Sequence, residues 1–168
     1  MIAPPQPPRP HHAAHERLAQ LGLTLPQQPP TQYSYSPVAS WGQIAFISGQ
    51  IPKRDGAVAF TGPITAATDL DRGVAAAELA TLGALAALDH EFGLHRVARV
   101  LKLSVYVASV PEFSDPPAVA EGASRLLRNV FGTAGQHART ALGLPQLPKD
   151  ATVELDLVVA LTPEEDAA

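Results

Sequence analysis

No cysteine occurs anywhere in the 168 residues. That absence excludes disulfide scaffolds, cysteine-ligated zinc, iron–sulfur clusters and cysteine nucleophiles at once. Charge is sparse as well: Asp, Glu, Lys and Arg make up 17% of the chain, where a soluble domain usually carries ~25%. Part of so quiet a surface suits a subunit contact. Cations are outnumbered, 12 Lys and Arg against 16 Asp and Glu, for a net charge of −4. A general nucleic-acid binder needs clustered cations to displace phosphate counterions, so nucleic acid is not the expected partner. No run of about 18 apolar residues is present, and no membrane-crossing helix is expected. Residues 1–10 hold five prolines and no apolar stretch, which does not read as a secretory signal. A cytoplasmic protein is the expectation. The familiar nucleotide fingerprints are missing too: no GxGxxG follows a strand, and there is no Walker-A lysine.

What is present suits one domain with its own core. Residues 1–14 read as a disordered Pro/His-rich tail, residues 15–32 as a short helix and linker, 33–161 as the domain and 162–168 as an acidic tail. His11, His12 and His15 have the crowded spacing of a purification tag, and no physiological metal is assigned to them. Helix is expected at 15–21, stopped by Gly22 and Pro26. Extended segments at 33–39 and 43–51 flank Ser40-Trp41-Gly42 and predict a β-hairpin. A short strand is read at 57–60. Leu79, Leu82, Leu85, Leu88 and Phe92 recur at near-helical spacing before Gly93, so 68–92 is a helix. Residues 97–107 form a long strand. A second helix over 114–129 is entered through Ser114-Asp115-Pro116-Pro117, where an N-cap candidate precedes prolines. Strands at 136–144 and 151–161 follow, separated by the Pro145 to Pro148 stretch. This order gives an α+β fold, a mixed sheet with both long helices on one face. The other face then needs a cover, and self-association in a closed symmetric oligomer is the economical one.

Chemistry concentrates in GQHARTALGLPQLPKDATVE, residues 135–154. Arg139 sits mid-strand, bounded by Ala138, Ala141 and Leu142, where a permanently charged guanidinium requires an anion. If the last two strands pair, Glu154 is its neighbour. Two readings stay open: a cross-strand Arg–Glu pair that stabilises the sheet, or Arg139 holding a substrate carboxylate while Glu154 handles protons. Ser48-Gly49-Gln50 closes a buried strand either as a bulge or as a place where a ligand approaches the backbone. Tyr35 lies in the adjacent strand, for packing or for the site. His137 is two residues from Arg139 and shares its strand face, placed to tune a site or to make a hydrogen bond at the sheet edge.

Ile47-Ser48-Gly49-Gln50-Ile51-Pro52, the 97–107 strand followed by Pro111-Glu112-Phe113, and Arg139 followed by Leu147-Pro148 and Val153-Glu154 together resemble the RidA family, also called YjgF or L-PSP endoribonuclease-like. The resemblance spans about 33–161. ERLAQLGLTLP, VAEGAS and GQHART are similar to a longer branch of that family. It implies a chorismate-mutase-like α+β fold, a homotrimer, and ligand clefts between subunits that need no cofactor or metal. The implied activity is hydrolysis of enamine and imine intermediates to 2-keto acids and ammonia. By resemblance, Arg139 grips the substrate carboxylate, Glu154 orients or activates water, and Ser48, Gly49 and Tyr35 line the pocket. Two positions depart from the archetype: Ala141 stands where cysteine is frequent, and the approach to the helix between Phe113 and Val119 is longer. The asparagine common in that helix is replaced, with Ala120 or Glu121 nearest. The alternatives are a non-catalytic trimeric sensor of small carboxylates and, by family name, an endoribonuclease working through Arg99 or Arg125.

Overall fold

The computed structural model describes residues 13–28 and 33–163. Helix α1, Ala13–Gln20, starts two residues inside the stretch read as tail and buries Ala14 and Leu18. His11 and His12 lie outside the described residues, as do most of the Pro/Gln linker and the last five residues. Strands β1, Val38–Trp41, and β2, Ile44–Gln50, form the expected hairpin. Its turn is Gly42-Gln43, with Gly42 at φ 57°, a conformation that favours glycine. A two-residue ribbon follows, β3 at Lys53–Arg54 and β4 at Ala57–Val58. Helix α2 spans Leu70–Phe92, β5 Val97–Ala108, α3 Pro116–Phe131, β6 Ala138–Leu144 and β7 Val153–Leu161.

Both helices start and stop for local chemical reasons. Asp115 accepts the Ala118 N–H at 3.2 Å, with prolines in the first turn where no N–H is needed. Gly93, at φ 78°, ends α2 by donating to the Asp89 carbonyl at 2.9 Å. The alanine-rich face of α2 lets α3 come close. A Cβ at Gly122 would overlap the Val74 carbonyl oxygen, so only glycine allows this approach.

The main sheet runs β1-β2-β7-β5-β6. All pairs are antiparallel except β5 with β6, which are parallel. Strand β7 alternates buried and half-buried residues along its whole length. Val153, Leu155, Leu157 and Val159 pack beneath α2 and α3 with Leu85, Leu88, Val119 and Leu127. The helices cover that side only. On the opposite side Trp41 is 87% exposed and Phe46 52% exposed, with Leu101 and Leu142 also open to solvent. The mixed α+β architecture with its single helical layer is the one expected from the element order. No helix among the described residues is long and apolar enough to cross a membrane.

A difference from the sequence reading concerns the last two strands. β6 and β7 are not neighbours: β5 lies between them. Residues 145–152, stiffened by Pro145 and Pro148, carry the chain from one side of β5 to the other, so β6 pairs parallel to β5 and β7 antiparallel to it. No cross-strand Arg139–Glu154 pair forms in this chain.

Candidate functional site

The β5 registers decide where the chemistry goes. Arg139 stands opposite Leu103, a residue buried under the helices, so its side chain leaves the sheet on the helical side. Glu154 stands opposite Tyr106, and its side chain leaves on the open side. The two groups therefore belong to two separate clusters, on opposite faces and two strands apart.

The first cluster fills the crevice between α3 and the edge strand β6. Glu121 and Ser124, three residues apart, share one face of α3 and point at Arg139. Arg139 Nη1 donates to Glu121 Oε1 at 2.5 Å and to Ser124 Oγ at 3.0 Å. The Nε–H and Nη2–H donors have no partner among the described residues, and no buried side-chain donor or acceptor there is unsatisfied, so these two groups face solvent. Arg139 is 25% exposed and Glu121 54%. Behind the guanidinium, His137 Nδ1 lies 2.7 Å from the Gly135 carbonyl and Nε2 lies 3.1 Å from Ser124 Oγ. A carbonyl only accepts, so Nδ1 carries the hydrogen and the Nε2 lone pair receives the Ser124 hydroxyl. Ser124 thereby relays from a neutral imidazole to the arginine. Burial lowers the His137 pKa, and the Arg139 charge acts in the same direction against the Gly135 bond and Glu121.

His137 thus stays neutral at pH values where an ordinary histidine is already charging. An NMR titration should place the ring below the usual histidine value of about 6.5. A folded pKa below the unfolded one also means that stability is lost as pH falls through that range. A ring titrating above the usual value would contradict this orientation of the relay.

The second cluster lies on the open face where β2 loses register with β7 between Ile47 and Gln50. The Ser48-Gly49 pair occupies this bulge, and the Glu154 carboxyl rests on Gly49, where any Cβ would overlap Oε1. Glycine is required there by the carboxyl group. Ser48 is held by its neighbours: its hydroxyl donates to the Ser36 carbonyl at 2.7 Å, and its N–H donates to Pro37 at 2.9 Å. Tyr35, exposed and adjacent to Ser36, stands beside this tether in the loop before β1 rather than in the strand itself. Burial pushes the Glu154 pKa up, and the negative charge of Asp156 two residues along the same face adds to it.

Of the residues singled out from sequence, Ser48, Gly49 and Glu154 come together with Tyr35 nearby, and Arg139 comes together with His137. The clusters do not meet within one chain. Surface hollows of about 470 and 380 Å³ occur elsewhere, and neither is lined by Arg139, Ser48, Gly49 or Glu154. No group of three His, Cys, Asp or Glu side chains among the described residues is arranged to hold a metal ion. Glu121 and Ser124 are the site residues that sequence reasoning did not assign. Their signal lies in VAEGAS, where two polar residues one turn apart stand at the border between the buried and the exposed sides of α3.

Residues 15–161 match the family described as "YjgF/chorismate mutase-like, putative endoribonuclease". Protein TCP17 of Trypanosoma cruzi is 40% identical over 146 residues, covering 86% of this chain and 91% of that protein. Among solved structures, Atu1372 of Agrobacterium tumefaciens is 37% identical with a TM-score of 0.83, covering 90% of this chain and 94% of its own. A Shewanella oneidensis protein is 30% identical with a TM-score of 0.84, covering 89% and 99%. The family match over the core elements, the 40% identity and the shared fold agree, and the chain belongs to the YjgF/RidA family.

Proposed function

We propose that this protein is a cofactor-free deaminase that hydrolyses 2-enamine and 2-imine acids to 2-keto acids and ammonia, at a site shared between copies of the chain in a homotrimer. One observation carries the reading. Its two chemically competent clusters lie on opposite faces of one sheet: Arg139 with two solvent-facing donors beside the β6 edge, and Glu154 with raised proton affinity on the open side. Neither half performs the hydrolysis alone. Seating the open face of one copy against the β6 edge of the next joins Arg139 to Glu154 and covers Trp41, Phe46, Leu101 and Leu142. A closed ring repeats that contact at every seam, and the family resemblance favours three copies.

The chemistry needs little from the protein, because an iminium carbon is already electrophilic. Arg139 Nε–H and Nη2–H hold the ligand's carboxylate side-on, fixing the C=N group in the cleft. Glu154 takes a proton from water as the water oxygen bonds to C2 and the C=N π pair moves onto nitrogen. The same proton passes to nitrogen. The C–N bond then breaks as the new hydroxyl gives its proton to Glu154 and becomes the keto oxygen, and ammonia leaves as ammonium after taking that proton from Glu154. A carboxyl group with a raised pKa suits both directions of that transfer.

Supplying imines continuously from an amino-acid oxidase and following ammonia tests the activity. Release faster than in buffer supports it. Unaccelerated release together with binding of 2-keto acids would instead assign a carboxylate sensor.

A further inference from the structure

Arg139 already carries one carboxylate before any ligand arrives. Glu121 and Ser124 both occupy Nη1, so a ligand carboxylate has the Nε and Nη2 edge of the guanidinium that Glu121 already binds. Arg125, one turn further along α3, is engaged with Glu78 at 3.6 Å, and His137 lies behind Ser124 in its neutral form. Two carboxylates on one guanidinium therefore leave a local excess of negative charge, which weakens binding of a simple carboxylate. A cationic nitrogen on the carbon next to the ligand's carboxylate offsets that excess, because it adds a positive charge to a group of two carboxylates and one guanidinium. Glu121 is more than half exposed, so its carboxylate borders the space through which such a ligand arrives.

We infer that Glu121 is a specificity-determining residue that makes the Arg139 site select zwitterionic 2-iminio and 2-amino acids over 2-keto acids. The inference rests on Arg139 being the carboxylate anchor, and adds the sign of the charge recognised beside it. It also accounts for release: hydrolysis removes the cationic nitrogen, and the keto acid left on Arg139 faces Glu121 unscreened. The substrate is held and the product expelled by the same side chain.

Calorimetry on the assembled full chain tests this with 2-aminobutyrate, a stable zwitterion of substrate shape, and 2-ketobutyrate, at one neutral pH and one ionic strength. The wild type should favour the amino acid by about tenfold or more. Glu121→Gln should remove or reverse that preference, strengthening the keto acid and weakening the amino acid, whereas Glu121→Asp should keep it. An unchanged preference in Glu121→Gln overturns the inference, and when Arg139→Ala still abolishes binding of both ligands the anchor reading survives that failure. Binding of both ligands that persists in Arg139→Ala overturns the anchor reading, and the inference with it. Failure of the wild type to bind either ligand does the same.

Discussion

Replacing Arg139 with alanine should lower kcat/KM for 2-imino acids by about a hundred- to a thousandfold, the effect of losing a bidentate charge-assisted contact with the ligand. The fold should survive. Arg139's partner in the chain, Glu121, is more than half exposed and can return to water, so the cost to stability is that of a surface pair, about 0–1 kcal/mol. Ser124 keeps His137 as a partner. Arg139→Lys separates charge from geometry: lysine supplies a point charge without the planar fork, and Glu121 competes for it, so activity should recover only partly. Loss of activity with an unaltered melting transition is the expected pair of results. Unchanged kinetics in Arg139→Ala would mean that the cation serves only to fasten β6 to α3.

Glu154→Gln should have the second large effect, in two opposite directions. Ammonia release should fall by about a hundred- to ten-thousandfold, because glutamine can neither take a proton from water nor return it to nitrogen. Stability at neutral pH should rise. The folded Glu154 pKa is raised by burial and by Asp156. Between the unfolded and folded values the native state therefore holds more protons, and stability falls as pH climbs through that window. Above it the folded protein carries a disfavoured charge that glutamine lacks. The variant's advantage should appear at neutral pH and vanish below the ordinary carboxylate range. Denaturant unfolding at acid and neutral pH, beside the ammonia assay, reads both effects. A variant that is destabilised at neutral pH, or fully active, would contradict this role.

Much of the fold is legible in the sequence because its signals are local. Leucine spacing marks α2, Ser114-Asp115 with two prolines marks the start of α3, and alternation from Val153 to Leu157 marks which side of β7 is buried. Strand order is not local. Nothing in the eight residues from Pro145 to Thr152 states that they cross β5, and a shorter hairpin reading placed Arg139 beside Glu154. Once the crossing is known, the register puts the two charges on opposite faces, in two separate clusters of a single chain. The site residues followed the same division. The need of Arg139 for an anion could be read from its apolar strand, but the identity of that anion depended on which face of α3 meets β6. Gly49 could be read as a bulge or as a close approach. It is both, since the bulge brings the backbone under the Glu154 carboxyl.

Mixing the two inactive variants tests whether the site is shared. Arg139→Ala and Glu154→Gln chains, unfolded together in equal amounts and reassembled, place an intact arginine opposite an intact glutamate at about a quarter of the seams in a randomly mixed ring. Ammonia release by the mixture should recover to roughly that fraction of the wild-type rate, while each variant reassembled alone stays inactive. If the mixture is no more active than the variants apart, although exchange of chains is verified by mass, Arg139 and Glu154 do not meet across a subunit boundary and the account fails.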